Sequence, residues 1–91
     1  MTMQWALEFT RRFKKAYKKL DKIRQEQVNE AIRQLANSNV PETLGIKKKG
    51  PLRSVYAYEL GLGCRILYQV DHNERVIFFL RVCHHKEVYG P

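Results

Sequence analysis

The first residues of the chain alternate between apolar and polar side chains, which is the pattern of a β-strand with one buried face. This strand is predicted over residues 3–9, and its apolar positions are Met3, Trp5, Leu7 and Phe9. Thr10 follows, and its hydroxyl predicts a helix N-cap. From residue 11 to residue 20, apolar residues recur at helical spacing between lysines and arginines. This spacing predicts a short, basic, amphipathic helix.

Asp21 predicts the N-cap of a second helix, which ends before the polar segment that leads to Pro41. The expected apolar stripe of this helix consists of Ile23, Val28, Ala31, Ile32, Leu35 and Ala36. Residues 44–51 then combine glycine and proline with three successive lysines, which predicts a basic connecting loop. The two tandem helices favour an αα-hairpin.

Three further strands are predicted at about 53–60, 64–71 and 75–83, joined by loops at 61–63 and 72–74. Their alternation gives one largely apolar face, made of Tyr56, Tyr58, Leu60, Cys64, Ile66, Tyr68, Val70, Val76, Phe78, Leu80 and Val82. The two helices can cover this face. The expected fold is therefore α+β, with the order β-α-α-β-β-β, two N-terminal helices on one face of a small, mainly antiparallel sheet, and a single domain over residues 1–91.

The other face of the predicted sheet carries charged side chains. Loop lengths alone place Glu59 opposite Arg65, and Arg65 opposite Arg81. Two adjacent arginines repel unless an anion lies between them, and a phosphate fits that role; a surface ion pair with Glu59 is the alternative. The same register puts Cys64 on the core face and Cys83 on the open face, which predicts free thiols and no disulfide between them.

The net charge of the chain also favours an anionic partner. The 91 residues include 17 lysines and arginines against 9 acidic residues, a net charge of +8. A positive surface favours anionic partners, namely nucleic acid or an acidic protein, although a solvated helix face that aids solubility is the alternative for any single lysine. The cysteines and histidines lack the spacing of a metal site, and no apolar run is long enough to cross a membrane or to serve as a signal peptide. A cytoplasmic location is expected.

The C-terminal segment 81–90 gathers a guanidinium, imidazoles and a phenol. RNA is cut without metal when its own 2′-hydroxyl attacks the adjacent phosphate, which requires a base, an acid and cations. His85 is the candidate acid, because histidine titrates near neutral pH. Arg65 and Arg81 are the candidates for holding the phosphate.

Glu59 is a possible base, with Tyr89 as its rival or as a platform on which a base stacks. His85 as an inert tail residue and Tyr89 as a packing residue are the alternatives. Further RNA contacts through charge alone are expected from Lys47, Lys48, Lys49, Arg53 and Lys86.

The order of elements, together with segments 58–60, 63–70 and 81–89, resembles the RelE/ParE toxin superfamily of bacterial and archaeal toxin–antitoxin systems. The resemblance covers essentially the whole chain. It implies a ribosome-dependent endoribonuclease that cuts messenger RNA without a metal or other cofactor and thereby inhibits translation. The implied partners are a cognate antitoxin, the ribosome and messenger RNA.

Within the family, Arg65 matches the strand arginine that holds the scissile phosphate. Arg81, His85 and Tyr89 match an arginine, a catalytic histidine and a terminal aromatic of the YafQ branch. The chain departs from RelE at Tyr56 and Tyr58, on the strand where RelE carries catalytic lysines. A ParE-like inhibitor of DNA gyrase that does not cut RNA is therefore one alternative function, and an inactive relative that only binds RNA or antitoxin is another.

Overall fold

The structure is a computed structural model that describes residues 5–47 and 55–83. The elements are β1 (Ala6–Phe9), α1 (Arg11–Lys19), α2 (Lys22–Ala36), a 3₁₀ turn (Pro41–Leu44), β2 (Ile46–Lys47), β3 (Val55–Gly61), β4 (Cys64–Asp71) and β5 (Val76–Val82). The five strands form one sheet in the order β1-β5-β4-β3-β2. β1 runs parallel to β5, and the other three pairings are antiparallel. The predicted α+β class and its mainly antiparallel sheet are confirmed.

Both helices begin at the predicted caps. The Thr10 hydroxyl accepts a hydrogen bond from the Phe13 N–H at 3.1 Å, and an Asp21 carboxylate oxygen accepts one from the Arg24 N–H at 2.8 Å. Each cap satisfies a backbone donor that has no partner within its helix. No helix in the described part of the chain is both long and apolar enough to cross a membrane.

The core lies between the two helices and one face of the sheet. Its buried members are Trp5, Phe13, Val28, Ala31, Leu35, Ile66, Tyr68, Ile77, Phe79 and Val82. Leu7 and Phe9 pack against this cluster while Glu8 is exposed, as the alternation of the first strand predicted. Ile23 is an exception to the predicted helix stripe, because it lies in the first turn of α2 with 72% of its surface exposed.

The connector after α2 has more structure than its glycine and prolines indicated. Pro41 is buried and begins a 3₁₀ turn, and the buried Tyr68 hydroxyl donates a 2.8 Å hydrogen bond to the Pro41 carbonyl. Ile46 and Lys47 then pair with Ala57 and Tyr56 as an edge strand. The prediction of a loop over 44–51 was therefore wrong at its start, since a short strand is too brief to show a period of its own.

The β3–β4 hairpin is tighter than predicted. Leu62 and Gly63 both have positive φ angles, 54° and 80°, as a two-residue hairpin turn requires, and Gly61 rather than Leu60 is opposite Cys64. A β-bulge between Glu59 and Gly61 takes up the difference. Glu59 therefore lies opposite Arg65 as predicted, because two deviations cancel.

β5 departs further from the predicted register. Its turn pairs Asp71 with Val76 instead of Arg75. The first half of β5 is therefore shifted by one residue, and its side chains lie on the opposite faces of the sheet from those predicted. Ile77 and Phe79 are buried, whereas Phe78, predicted in the core, is 36% exposed. The core-face assignments of Val76 and Leu80 fail for the same reason, since neither belongs to the buried cluster.

An irregularity between the Leu67 and Tyr68 pairs then shifts the register a second time. Tyr68 is opposite Phe79 but Leu67 is opposite Arg81, which leaves Leu80 as the additional residue. Beyond this point the predicted alternation applies again. Val82 is buried in the core, and Arg81 belongs to the open face of the sheet.

Candidate phosphate-binding face

The open face of the sheet carries three charged residues close to the β3–β4 hairpin. Glu59 on β3 and Arg65 on β4 are direct cross-strand partners, and Arg81 on β5 is the partner of Leu67, two residues further along β4. Cross-strand partners share a face, as do residues two apart on one strand. We call Glu59, Arg65 and Arg81 the arginine face.

Glu59 and Arg65 form an ion pair that is half exposed. Arg65 Nε lies 3.3 Å from Glu59 Oε2, with 39% and 47% of the two side chains accessible. Arg65 Nε itself is buried and has no hydrogen-bond partner among the described residues. The pair is thus close in distance but not aligned for a hydrogen bond.

Arg81 is a diagonal rather than a direct neighbour of Arg65. The prediction that Arg65 and Arg81 are opposite one another was wrong, because both register shifts in β5 act in the same direction. The Cys83 N–H occupies the position opposite Arg65 and donates a 2.8 Å hydrogen bond to its carbonyl. Diagonal neighbours are ~7–8 Å apart, within reach of long side chains. Long side chains at this spacing are able to converge on a common anion.

Several described residues beside the arginines on the open face are apolar, whereas Gln69, opposite Val55, is polar. β3 brings Val55 and Ala57 to this side, both buried, and β4 brings Leu67. Tyr56 and Tyr58 lie on the other side and pack against the core. Among the described residues of β3, Glu59 is thus the titratable side chain on the arginine face.

Lys47 lies away from the other predicted contacts. It is exposed but pairs with Tyr56, which assigns it to the helix side of the sheet. The remaining candidates lie outside the described residues; they are Lys48, Lys49, Arg53, His85, Lys86 and Tyr89. In the described part of the chain, no three metal-ligating side chains form a group.

Cys64 and Cys83 form a disulfide, so the prediction of two free thiols was wrong. The register shifts move Cys83 next to the start of β4, and its backbone takes a positive φ of 52°, which turns it from the extended path of β5. Sequence alternation could not reveal this, because it assumes an unbroken strand. The disulfide borders the arginine face at Arg65.

A second polar cluster, also missed from the sequence, lies at the other end of β4. His72 Nε2 is 2.7 Å from a carboxylate oxygen of Glu42, and its ring meets Trp5 edge-on at 5.0 Å. The Arg75 guanidinium lies over the Trp5 ring at 4.3 Å. The cluster joins the 3₁₀ turn, the residue that precedes β1 and the β4–β5 turn, and we interpret it as structural.

A family model and the solved structures that match this chain both belong to toxins of toxin-antitoxin systems. The family model of the ParE-like toxin of type II bacterial toxin-antitoxin systems matches residues 7–90. A search of the curated proteins finds no match.

Solved structures give close matches. A double arginine-to-alanine mutant of the E. coli toxin RelE in the free state is 30% identical with a TM-score of 0.72, over 96% of this chain and 92% of that one. The same mutant toxin in complex with a peptide of the antitoxin RelB is 29% identical with a TM-score of 0.75, over 96% and 92%. The YoeB/ParE toxin from Agrobacterium tumefaciens is similar in fold, with 20% identity and a TM-score of 0.76 over 88% and 98%.

Proposed function

Because this chain belongs to the family of ParE-like toxins of type II bacterial toxin-antitoxin systems, we propose that it acts by cutting messenger RNA on the ribosome, without a metal, and so inhibits translation. The resemblance to the RelE/ParE superfamily is confirmed by the family model and by the RelE structures. The chain is thus a toxin of a type II system, and the cleavage of RNA is the proposal.

The arginine face is the observation that carries this proposal. Arg65 and Arg81 lie on adjacent strands and on the same side of the sheet as diagonal neighbours, which supports a shared phosphate ligand. Glu59 lies 3.3 Å from Arg65 Nε and therefore balances only part of the charge of the two arginines. A phosphodiester is the anion of RNA that fits such a pair of cations.

The cleavage chemistry divides among these residues and the C-terminal segment. Glu59 would accept the proton of the 2′-hydroxyl, and Arg65 and Arg81 would stabilise the charge that develops on the phosphate. His85 would protonate the leaving 5′-oxygen, and Tyr89 would stack on a base. The sequence places His85 four residues after Arg81, which is the spacing that the family resemblance implies for the acid.

The alternative is a gyrase inhibitor of the ParE type. The description of the matching family model as ParE-like favours it, as do Tyr56 and Tyr58, which pack against the core where RelE carries catalytic lysines. A gyrase inhibitor would need neither His85 nor the arginine pair for RNA cleavage. Substitution of His85 or of either arginine should therefore abolish the activity of a nuclease but leave inhibition of gyrase intact.

Mapping messenger RNA ends on translating ribosomes distinguishes these functions. We expect wild type to create new 5′ ends and His85→Ala, Arg81→Ala and Arg65→Gln to lose them. Arg33→Gln is the matched control, because Arg33 also pairs with a glutamate but lies exposed on α2, on the helix side. Unchanged cleavage in the three site variants would refute the assigned roles, and gyrase-dependent DNA breaks without RNA cuts would favour the alternative.

A cognate antitoxin is the expected protein partner, because several similar structures are toxin–antitoxin complexes. One surface suits such a partner: a groove between β1, α1 and α2 that is lined by Phe9, Phe13, Tyr17 and Ile32 and edged by Lys14 and Lys18. Its apolar floor and basic rim match an amphipathic segment with acidic residues. Reversing the charge of both lysines should weaken the antitoxin complex, and an unchanged affinity would exclude this groove.

A further inference from the structure

We propose that the Cys64–Cys83 disulfide is a redox switch of the arginine face: the oxidised form holds the end of β5 beside Arg65, and reduction releases it. The effect on RNA cleavage rests on the proposed function. The effect on the backbone does not, because it follows from the position of the disulfide alone.

The disulfide joins the two strands that carry the arginines. Cys64 directly precedes Arg65 at the start of β4, and Cys83 follows Arg81 by two residues, directly after the end of β5. One backbone hydrogen bond reinforces the covalent link, from the Cys83 N–H to the Arg65 carbonyl at 2.8 Å. Opening the disulfide therefore loosens the strand end closest to the Glu59–Arg65 pair.

Access to the two sulfurs is unequal. Cys64 is 1% exposed, whereas Cys83 is only partly buried. The thiolate of a small cellular thiol would attack Sγ of Cys83, forming a mixed disulfide and expelling Cys64 as a thiolate that takes up a proton. A second thiol resolves the mixed disulfide, so two electrons and two protons pass to the protein and the small thiol leaves as its own disulfide. A disulfide in a reducing compartment is typically transient and redox-sensing.

Reduction changes the backbone at Cys83. Its φ of 52° is uncommon for a residue with a β-carbon, and the structure shows two constraints that hold it, the disulfide and the hydrogen bond to Arg65. Without the disulfide, the extended conformation becomes the favoured one. The direction in which the backbone leaves β5 at Cys83 therefore changes, at the strand end next to Arg65.

Thiol labelling and hydrogen exchange test the switch directly. The full chain is first equilibrated in an oxidising glutathione buffer and then unfolded in the presence of an alkylating reagent; it should take up no label. After reduction with a dithiol, the same procedure should add two labels. The backbone amide of Cys83 should be protected in the oxidised protein and lose that protection on reduction, while amides in the middle of α2 stay unchanged. Two labels under oxidising conditions, or equal protection in both forms, would overturn the proposal.

Ribosome cleavage adds the functional test. The oxidised wild type should cut messenger RNA, and the reduced form should lose this activity, as should a Cys64→Ala/Cys83→Ala variant under either condition. Equal cleavage by both redox forms of wild type would contradict the switch and needs no variant to fold. If neither form cleaves but Cys83 loses protection on reduction, the backbone switch stands and the proposed nuclease fails.

Discussion

Replacing Arg65 by glutamine should weaken binding of single-stranded RNA and make it less dependent on salt. The change removes one guanidinium from the arginine face while keeping a polar, uncharged side chain. Arg33→Gln is the control, because it removes the same charge from an exposed ion pair on α2. Both variants leave the chain with the same net charge, so any difference between them reflects position.

The size of the effect follows from the exposure of the pair. A guanidinium and a phosphate at 4 Å attract by about 1 kcal/mol in water and about 4 kcal/mol near a protein surface. Arg65 is 39% accessible and already compensated by Glu59, so the lower value applies. A loss of about 1 kcal/mol corresponds to about fivefold weaker binding. The ion pair itself contributes at most about 1 kcal/mol to stability, so the variant should remain folded.

The assay is fluorescence anisotropy of a labelled RNA oligonucleotide over a range of potassium chloride concentrations. Loss of one phosphate contact on a single strand should reduce the slope of log affinity against log salt by about 0.7. We expect this reduction for Arg65→Gln and a much smaller one for Arg33→Gln. Equal slopes in the two variants would refute the reasoning, because they would show that RNA responds to the overall positive charge and not to a site.

Three further predictions follow from the contacts. Glu59→Gln should tighten RNA binding, since Arg65 loses its competitor, yet reduce ribosomal cleavage at least about 100-fold if Glu59 is the base; full cleavage would exclude that role. Tyr68→Phe should cost about 1–3 kcal/mol in urea unfolding at neutral pH, because the buried Pro41 carbonyl loses its donor; a cost below a few tenths would contradict this. Burial raises the pKa of Tyr68, so wild-type stability should fall above about pH 10, where the unfolded chain loses its phenol protons first, and this decline should be smaller in the variant. His72→Ala should cost about 1 kcal/mol through its contact with Glu42, and unchanged urea unfolding would show that the contact is too exposed to contribute.

Local signals in the sequence were sufficient to predict where the helices begin and which side chains of the first strand face the core. Thr10 and Asp21 cap the helices because short polar side chains reach the free N–H groups of the first turn, an interaction within four consecutive residues. Glu59 and Arg65 also pair as expected, but only because the tight turn and the bulge deviate from the predicted loop in compensating ways. Information confined to a few neighbouring residues was thus predictable.

Register in β5 was not predictable, because it depends on contacts with other strands. Arg75 has a φ of 58° and belongs to the turn, and Leu80 is the additional residue of the irregularity; neither feature has a sequence signature as specific as Asn-Gly. Two one-residue shifts return the end of β5 to the predicted face of the sheet, but they change which residues of β4 it pairs with. Arg81 therefore lies on the open face, as predicted. Its diagonal position relative to Arg65 and the disulfide of Cys83 were not predicted. The least predictable part of the chain is also the part on which the proposed chemistry depends, since the two-residue displacement makes Arg81 a diagonal rather than a direct neighbour of Arg65.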